Sequence, residues 1–569
     1  MSELNEIVRK HVVKNALDYG KANAGAVVGR VIGELPEAKN DMKETMKIIS
    51  KAVAEVNKLS RVELEGEAAN YTYAEKKVEE KKIVLPNAER GKVVTRFPPE
   101  PSGYPHIGHA KAALLDYEAA KEYDGKFLIR FDDTNPEKEK AEYVEAILNG
   151  LKWLGVKWDG EVEYTSDFMP QIYSYARKLI AKGKAYVCFC AADKVKTNRQ
   201  EGIGCECRDR SAEENLNEWK KMLAGEFSEG KAIVRYRGDM SAENTVMRDP
   251  TMLRIIKAKH YRQGTKYSVW PSYDFSVPIV DSITGITHAM RTKEYELRDY
   301  LYYELIRELE LRPVIIVEFS RLQLKGFPVS KRLITPLVEK GKVHGWDDPR
   351  LPTLMGLKRR GILPEAARKF ALSSGIGKSE STAEIEQLLV ENKRLVEPTA
   401  QRRYFVKNPV KLTIKNKPGR SEVMIRNHPT NKELGERKVK ISDVFYISGD
   451  DARELERGSE FRLKELYNVK IVDELTPEFF GEYEGEKIVP GKKLHWVSDK
   501  GKVKCRVIVP GELFDGDTFR EESLKIDSGY CEESCEKLKI GDVIQFERYG
   551  FCRFDAKEGD TLVFIYTNP

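Results

Sequence analysis

Apolar positions recur three and four residues apart through roughly the first 85 residues, a charged, Ala- and Lys-rich stretch, and predict helices throughout it. The run Ala74-Glu75-Lys76-Lys77-Val78-Glu79-Glu80-Lys81-Lys82 reads as a solvated linker helix. Near residue 90 the period changes. Lys92-Val93-Val94-Thr95-Arg96-Phe97 is a β-branched strand halted by Pro98-Pro99, His109 to Tyr123 has helical spacing, and Phe127-Leu128-Ile129-Arg130-Phe131 is a second short strand. Strand, helix, strand within about forty residues is a βαβ unit and predicts a parallel, doubly wound sheet. A further apolar strand, Pro313 to Phe319, follows much later, so the sheet is expected to be split by an insertion between about 167 and 272. From about 395 the pattern becomes short alternating strands, such as Val410 to Ile414, Val503 to Val509 and Val543 to Phe546. Turn residues at Ser448-Gly449-Asp450-Asp451 and Tyr549-Gly550 punctuate them, which predicts one or two antiparallel barrels.

Composition narrows the class. At 569 residues the chain exceeds one core, and about three to five folding units are expected. With 41% hydrophobic and 33% charged residues it has the balance of a globular protein and not of a disordered one. The 97 Lys and Arg against 91 Asp and Glu leave +6, which an ordinary solvated surface explains as well as a polyanionic partner does. Eight Cys do not make a secreted disulfide framework, the first residues lack a signal-peptide pattern, and no apolar run is long enough to span a bilayer. The chain therefore reads as cytoplasmic, without membrane contact, and a monomer is expected.

The most informative string runs from Thr95 to His109. It joins a strand to a helix N-terminus, where free backbone N–H groups and the helix dipole attract phosphate. Gly103 and Gly108 let backbone approach a ligand closely, and His106 and His109, three apart, can share one helical face and donate to phosphate oxygens. Either His alone reads as an incidental surface residue. Pro105-His106-Ile107-Gly108-His109 resembles the HIGH signature of class I aminoacyl-tRNA synthetases. The preceding Pro98-Pro99-Glu100-Pro101-Ser102-Gly103, and Phe131-Asp132-Asp133-Thr134-Asn135-Pro136, resemble the glutamyl and glutaminyl branch of that family. Phe327-Pro328-Val329-Ser330-Lys331-Arg332, downstream of Glu318-Phe319-Ser320-Arg321-Leu322, is similar to the same branch's KMSKS loop.

The resemblance covers roughly 88 to 569 and implies a multidomain α/β and all-β fold. The expected parts are an N-terminal helical region (1–87), a Rossmann-like catalytic domain (88–166 and 273–320) and an acceptor-end-binding insertion (167–272). A helical subdomain with the KMSKS-like loop (321–394) and anticodon-binding β-barrels (395–569) complete the chain. It also implies ATP with Mg2+ as a substrate. His106, His109 and Lys331 would stabilise charge developing on phosphate, and Pro99, Glu100, Gly103, Gly108, Val329, Ser330 and Arg332 would frame the nucleotide. Asp132, after a strand end, would take the substrate's α-ammonium, and Tyr273 matches the branch's pocket tyrosine.

Glutamate and glutamine differ by a charge, and a carboxylate wants an Arg. Arg96 is one candidate but occurs in both sub-branches. Arg291 is more telling, because glutaminyl enzymes resemble this stretch with a small neutral residue there; a structural salt bridge is the plain alternative for it. The expected reaction is glutamate activation to glutamyl-adenylate and transfer to the 3′ end of tRNA(Glu), with tRNA(Gln) left open. Glutaminyl specificity, and a non-catalytic tRNA-binding scaffold, are the rival readings; a truncated tRNA-modifying paralogue would lack the C-terminal barrels. Four of the eight Cys form Cys188-Phe189-Cys190 and Cys205-Glu206-Cys207, two thiol pairs suited to a tetrahedral structural Zn2+ and similar to a site in some glutamyl enzymes, with free cytosolic thiols as the plain alternative. Cys505, Cys531, Cys535 and Cys552 read as packing residues. Gln401-Arg402-Arg403-Tyr404-Phe405-Val406-Lys407 is either an RNA-contacting stretch or a solvated strand face. The β-rich end resembles the archaeal or eukaryotic kind.

Overall fold

The computed structural model describes residues 3–59, 61–73, 82–380, 382–475, 478–488 and 491–569; most of the charged run 74–82 lies outside them. The chain divides into two units, Met1–Lys81 and Lys82–Pro569. In the first, helical periodicity becomes α1 (Glu3–Tyr19), α2 (Ala24–Glu34), α3 (Met42–Val56) and α4 (Arg61–Ala68). Val8, Val12 and Ala16 of α1 meet Val27 and Val31 of α2 and Ile49, Ala52 and Val56 of α3 in one core, the i, i+3, i+4 stripe expected of amphipathic helices. Asn23 and Asp41 cap α2 and α3 by accepting from Gly25 and Glu44 N–H.

In the second unit, β1 (Val94–Phe97), α5 (Ile107–Glu122) and β2 (Lys126–Phe131) form the expected parallel βαβ unit, with Thr95 beside Phe127 in register. After α6 (Ala141–Trp153), β3 (Glu163–Tyr164) extends the sheet beyond β2. The chain then leaves it. Helices α7 (Met169–Ala181), α8 (Ala192–Glu201) and α9 (Ala212–Leu223) accompany a four-stranded antiparallel sheet of β4 (Ala185–Cys188), β5 (Ile233–Tyr236), β6 (Thr251–Ile255) and β7 (Val269–Pro271). The chain returns through α10 (Tyr273–Ile283) to β8 (His288–Thr292), α11 (Glu296–Leu309) and β9 (Ile315–Phe319), which pairs parallel to β8. Thr287 N–H, just before β8, donates to the Val94 carbonyl at 2.9 Å and sets the two-stranded sheet of β8 and β9 beside β1 of the three-stranded sheet. Strand order reverses between β1 and β8, the switch point where doubly wound sheets bind ligands at their C-terminal ends.

Beyond β9, β10 (Gln323–Leu324) leads to α12 (Lys331–Glu339), α13 (Leu354–Arg360) and α14 (Pro364–Leu372), then β11 (Thr382–Ala383), which pairs with β10, and α15 (Ile385–Val396). Among the described residues, two seven-stranded sheets and two small two-stranded ones make up the strands of the C-terminal part. The hydrophobic cores of the two large sheets are separate, one around Leu412, Phe445 and Trp496 and the other around Val507, Phe546 and Phe564. The pairing is not purely antiparallel: Val410–Lys415 runs parallel to Glu478–Tyr483, and Lys502–Pro510 parallel to Thr561–Asn568. Alternation along a strand reports which face is buried but not which neighbour it meets. Gly449–Ala452 is one turn of helix capped by the Ser448 hydroxyl, in place of the expected plain turn. Arg402 to Val406 are buried, so this stretch is neither a solvated face nor an open RNA-contacting surface; Arg403 donates to the Asn427 side chain at 2.9 Å. Cys505, Cys531, Cys535 and Cys552 all lie in the second core, as packing residues do. No described helix is long and apolar enough to cross a membrane.

Candidate active site

Local chemistry sets the first signature turn. His106 is the N-cap of α5: its Nδ1 accepts from Gly108 N–H at 3.1 Å, while His109 Nδ1 accepts from His106 N–H at 3.2 Å, a reciprocal capping box. Ile107 N–H is taken by the Pro352 carbonyl at 2.9 Å. The expectation of free helix N–H groups is therefore corrected, because the His106 imidazole and the Pro352 carbonyl accept from them. Nor do the two His share a helical face, since one of them precedes the helix. With both Nδ1 atoms accepting, the neutral rings carry their proton on Nε2. Burial keeps them neutral, lowering His109 to about 4 and His106 well below its ordinary value, the latter aided by His109. The rings stand 4.0 Å apart. Two Nε2–H donors are thus held close together.

The second signature meets the first. Ser330 is the N-cap of α12 and Lys331 its first residue. A Cβ on Gly103 would lie 3.1 Å from the Lys331 side chain, and one on Gly108 would lie 2.9 Å from the His106 ring and 3.2 Å from Val329. Glycine at both positions is what lets segments more than 200 residues apart touch. The Lys331 ammonium sits 5.9 Å from the Tyr143 ring centre, whose neighbour Tyr104 also meets Trp346. Burial lowers the Lys331 pKa, partly opposed by Glu100. Phe97, Ile107, Ala110, Leu322 and Phe327 share one apolar core beneath both turns. Pro99 is buried, whereas Glu100 and Arg332 are exposed.

The sheet's C-terminal ends present the remaining candidates. Asp132, just past β2, is buried, and its Oδ1 has no hydrogen-bond partner among the described residues; burial raises its carboxyl to about 6, with Arg130 and the nearby Thr165 hydroxyl opposing. Arg96 is 1% exposed and donates through Nε and Nη2 to the two Asp281 oxygens at 2.9 and 3.2 Å, and through Nη1 to the Met290 carbonyl. Arg130 Nη2 reaches the same Asp281 at 2.5 Å, and the Tyr302 hydroxyl donates to it at 3.0 Å. Arg96 is accordingly committed within the protein. Arg291, on β8, pairs with Asp299 through Nη2, lies over the Tyr302 ring and leaves its buried Nε without a partner. Tyr273 opens α10; burial pushes its phenol up to about 12, against the Arg96 and Arg291 charges. The sequence reading overlooked Arg130, Asp281, Asp299 and Tyr143. The three ionic residues are isolated letters whose partners lie far along the chain or on another element.

The four cysteines converge. Their sulfurs all lie within 4.8 Å of one another, and Cys188 and Cys205 Sγ are 3.8 Å apart. Zn–S bonds of about 2.3 Å at tetrahedral angles put sulfurs about 3.8 Å apart, so this donor set fits zinc. Phe189 N–H points at Cys207 Sγ at 3.4 Å, and Arg235 Nη1 approaches Cys205 Sγ at 3.7 Å. Such contacts stabilise thiolate charge.

Residues 92–397 match the family model described as tRNA synthetases class I (E and Q), catalytic domain. Residues 400–481 and 493–555 match two models described as the anti-codon binding domain of the same family. A protein named glutamate–tRNA ligase from Nitrosopumilus maritimus (strain SCM1) is 45% identical over 565 residues, covering 98% of each chain. One of the same name from Cenarchaeum symbiosum (strain A) is 40% identical, over 98% of this chain and 99% of its own. Another, from Korarchaeum cryptofilum (strain OPF8), is also 40% identical and covered fully on both sides. Signature turns in contact, a parallel sheet with its switch point beside them, and family matches along the chain agree: this protein belongs to the glutamyl and glutaminyl (E and Q) family of class I tRNA synthetases.

Proposed function

We infer that this chain attaches L-glutamate to the 3′ end of tRNA(Glu) with ATP. The observation that carries the reading is the contact between the two signature turns, Lys331 on Gly103 and Val329 on Gly108. In the first step the glutamate α-carboxylate attacks the α-phosphate of Mg-ATP, an O–P bond forms and pyrophosphate leaves. In the second, the terminal ribose hydroxyl attacks the activated carbonyl, loses its proton, and AMP departs. Catalysis is positioning and charge stabilisation, with no covalent enzyme intermediate. His106 and His109 Nε2–H hold phosphate oxygens, and the Lys331 ammonium stabilises the departing pyrophosphate, with Ser330 and Arg332 beside it. Pro99, Glu100, Gly103, Gly108 and Val329 frame the nucleotide. The uncompensated Asp132 oxygen takes the α-ammonium, and the Tyr273 hydroxyl assists orientation. Arg291 uses its uncommitted Nε–H on the γ-carboxylate, while Arg96 contributes field from within the Asp281 network.

Asp299 already faces one edge of Arg291, so with glutamine bound the free Nε–H would meet a neutral amide and lose the charge-assisted bond that the γ-carboxylate makes. Arg291→Cys is expected to lower the preference for glutamate over glutamine by about two orders of magnitude, read as the ratio of kcat/KM for the two amino acids. An unchanged ratio would remove Arg291 from the pocket.

The segment 167–272 grips the acceptor end, and its four cysteines hold one structural Zn2+ that pins 188–190 to 205–207. Metal analysis should find about one zinc per chain, lost in Cys188→Ser/Cys205→Ser together with thermal stability of this segment. Metal-free protein of equal stability would retire the site. The catalytic domain comprises 88–166 and 273–320, the helical subdomain 321–394 and the barrels 395–569. The chain works as a cytoplasmic monomer.

Aminoacylation with labelled glutamate or glutamine, on tRNA(Glu) and tRNA(Gln) separately, tests the whole reading. Glutamate on tRNA(Glu) is expected. Glutamate on tRNA(Gln) as well makes the enzyme non-discriminating, and glutamine on tRNA(Gln) overturns the assignment.

A further inference from the structure

One buried cation near the signature turns has no role in the mechanism above. Lys111 lies on α5, two residues after His109, and is 1% exposed. Among the described residues no carboxylate pairs with it. Its Nζ donates to the Ser320 carbonyl at 2.5 Å, lies 3.4 Å from the Ser320 hydroxyl, and sits 5.8 Å from the Phe319 ring centre. Ser320 is the first residue beyond β9, itself 1% exposed, and its own N–H is held by the Gly377 carbonyl at 3.0 Å. From there the chain runs through Arg321, Leu322 and Phe327 to Ser330 and Lys331.

We propose that Lys111 is a positioning residue of the nucleotide site: its ammonium clamps the Ser320 carbonyl to α5 and so sets where the segment ending in the second signature leaves the sheet. The proposal rests on the nucleotide site assigned above. An ammonium taken from water without a counter-ion is costly, and burial alone lowers Lys111 to about 8. An apolar side chain of the same length would suit this core better if packing were the only demand. Leu322 and Phe327 share an apolar core with Ile107 and Ala110, and apolar packing of this kind is non-directional and sets no register. The Lys111 bond is directional. It ties the helix carrying His106 and His109 to the root of the segment carrying Lys331, so the two halves of the phosphate site move as one.

The test is full-length Lys111→Met, assayed for ATP KM, glutamate KM and kcat in tRNA(Glu) charging, together with its unfolding temperature. The expected result is an ATP KM raised about tenfold or more, as for loss of one charge-assisted hydrogen bond, with glutamate KM within about twofold. The unfolding temperature should be unchanged or higher. Lys111→Gln, which keeps an N–H donor for the carbonyl, should recover much of the ATP KM. An ATP KM unchanged in Lys111→Met overturns the proposal, as does a variant that unfolds more readily, or a Lys111→Gln enzyme no better than Lys111→Met. No charging by the unsubstituted chain would instead remove the nucleotide site itself.

Discussion

Lys331→Ala is expected to lower kcat/KM for glutamylation by about 10²–10³-fold while leaving the fold intact. The ammonium has no ion pair among the described residues; its methylene stem packs at Gly103, and it faces the Tyr143 ring and the more distant Glu100 charge. Removing it therefore orphans no partner, and unfolding should shift little. In the proposed mechanism its value lies in the transition state, where negative charge moves onto the leaving pyrophosphate and a pre-positioned cation needs no reorganisation. The loss should fall on kcat more than on glutamate KM. Pyrophosphate exchange measured with tRNA(Glu) present isolates this step, and a defect under about tenfold there would reassign Lys331 to the solvated surface.

The second large effect concerns stability. Asp281→Asn is expected to destabilise the catalytic domain by about 3–5 kcal/mol, read as a marked drop in its unfolding temperature or as failure to accumulate folded chain. One carboxylate neutralises two guanidiniums, Arg96 and Arg130, each 1% exposed, and accepts from the Tyr302 hydroxyl. An amide keeps the shape but leaves two buried cations unbalanced. Arg130→Met should cost less, because Asp281 still has Arg96; equal losses would contradict this picture. Burial pushes the Asp281 carboxyl up, but the two guanidiniums outweigh it and hold it below its ordinary value. Its contribution is therefore complete above the ordinary carboxylate range and is lost as pH falls through the depressed value.

How far such features can be read in advance depends on the range of the interaction. The period changes near 90 and 395, the β1-α5-β2 unit and the four-cysteine spacing are local patterns, and the structure holds them. The residues of both signatures are local strings too. What the strings do not contain is their geometry. His106 is an N-cap because its Nδ1 accepts the Gly108 N–H, while the Ile107 N–H goes to the carbonyl of Pro352, nearly 250 residues away. The burial of Arg402 to Val406 was hidden for a similar reason, since a basic, aromatic strand looks solvated until the strands beside it are known.

The sequence by itself determined the family, the βαβ start of the sheet and the residue types of the two signature turns and the cysteine cluster, because periodicity and short motifs are written in consecutive residues. Only the tertiary structure decided which of those residues remain available. Among the described residues it commits Arg96 to Asp281 and the two imidazole Nδ1 atoms to the turn, and leaves the Arg291 Nε and the Asp132 Oδ1 without a hydrogen-bond partner. The reason is physical: a buried charge or donor takes the nearest complementary group, and nearness is set by the packing of distant segments, not by position along the chain.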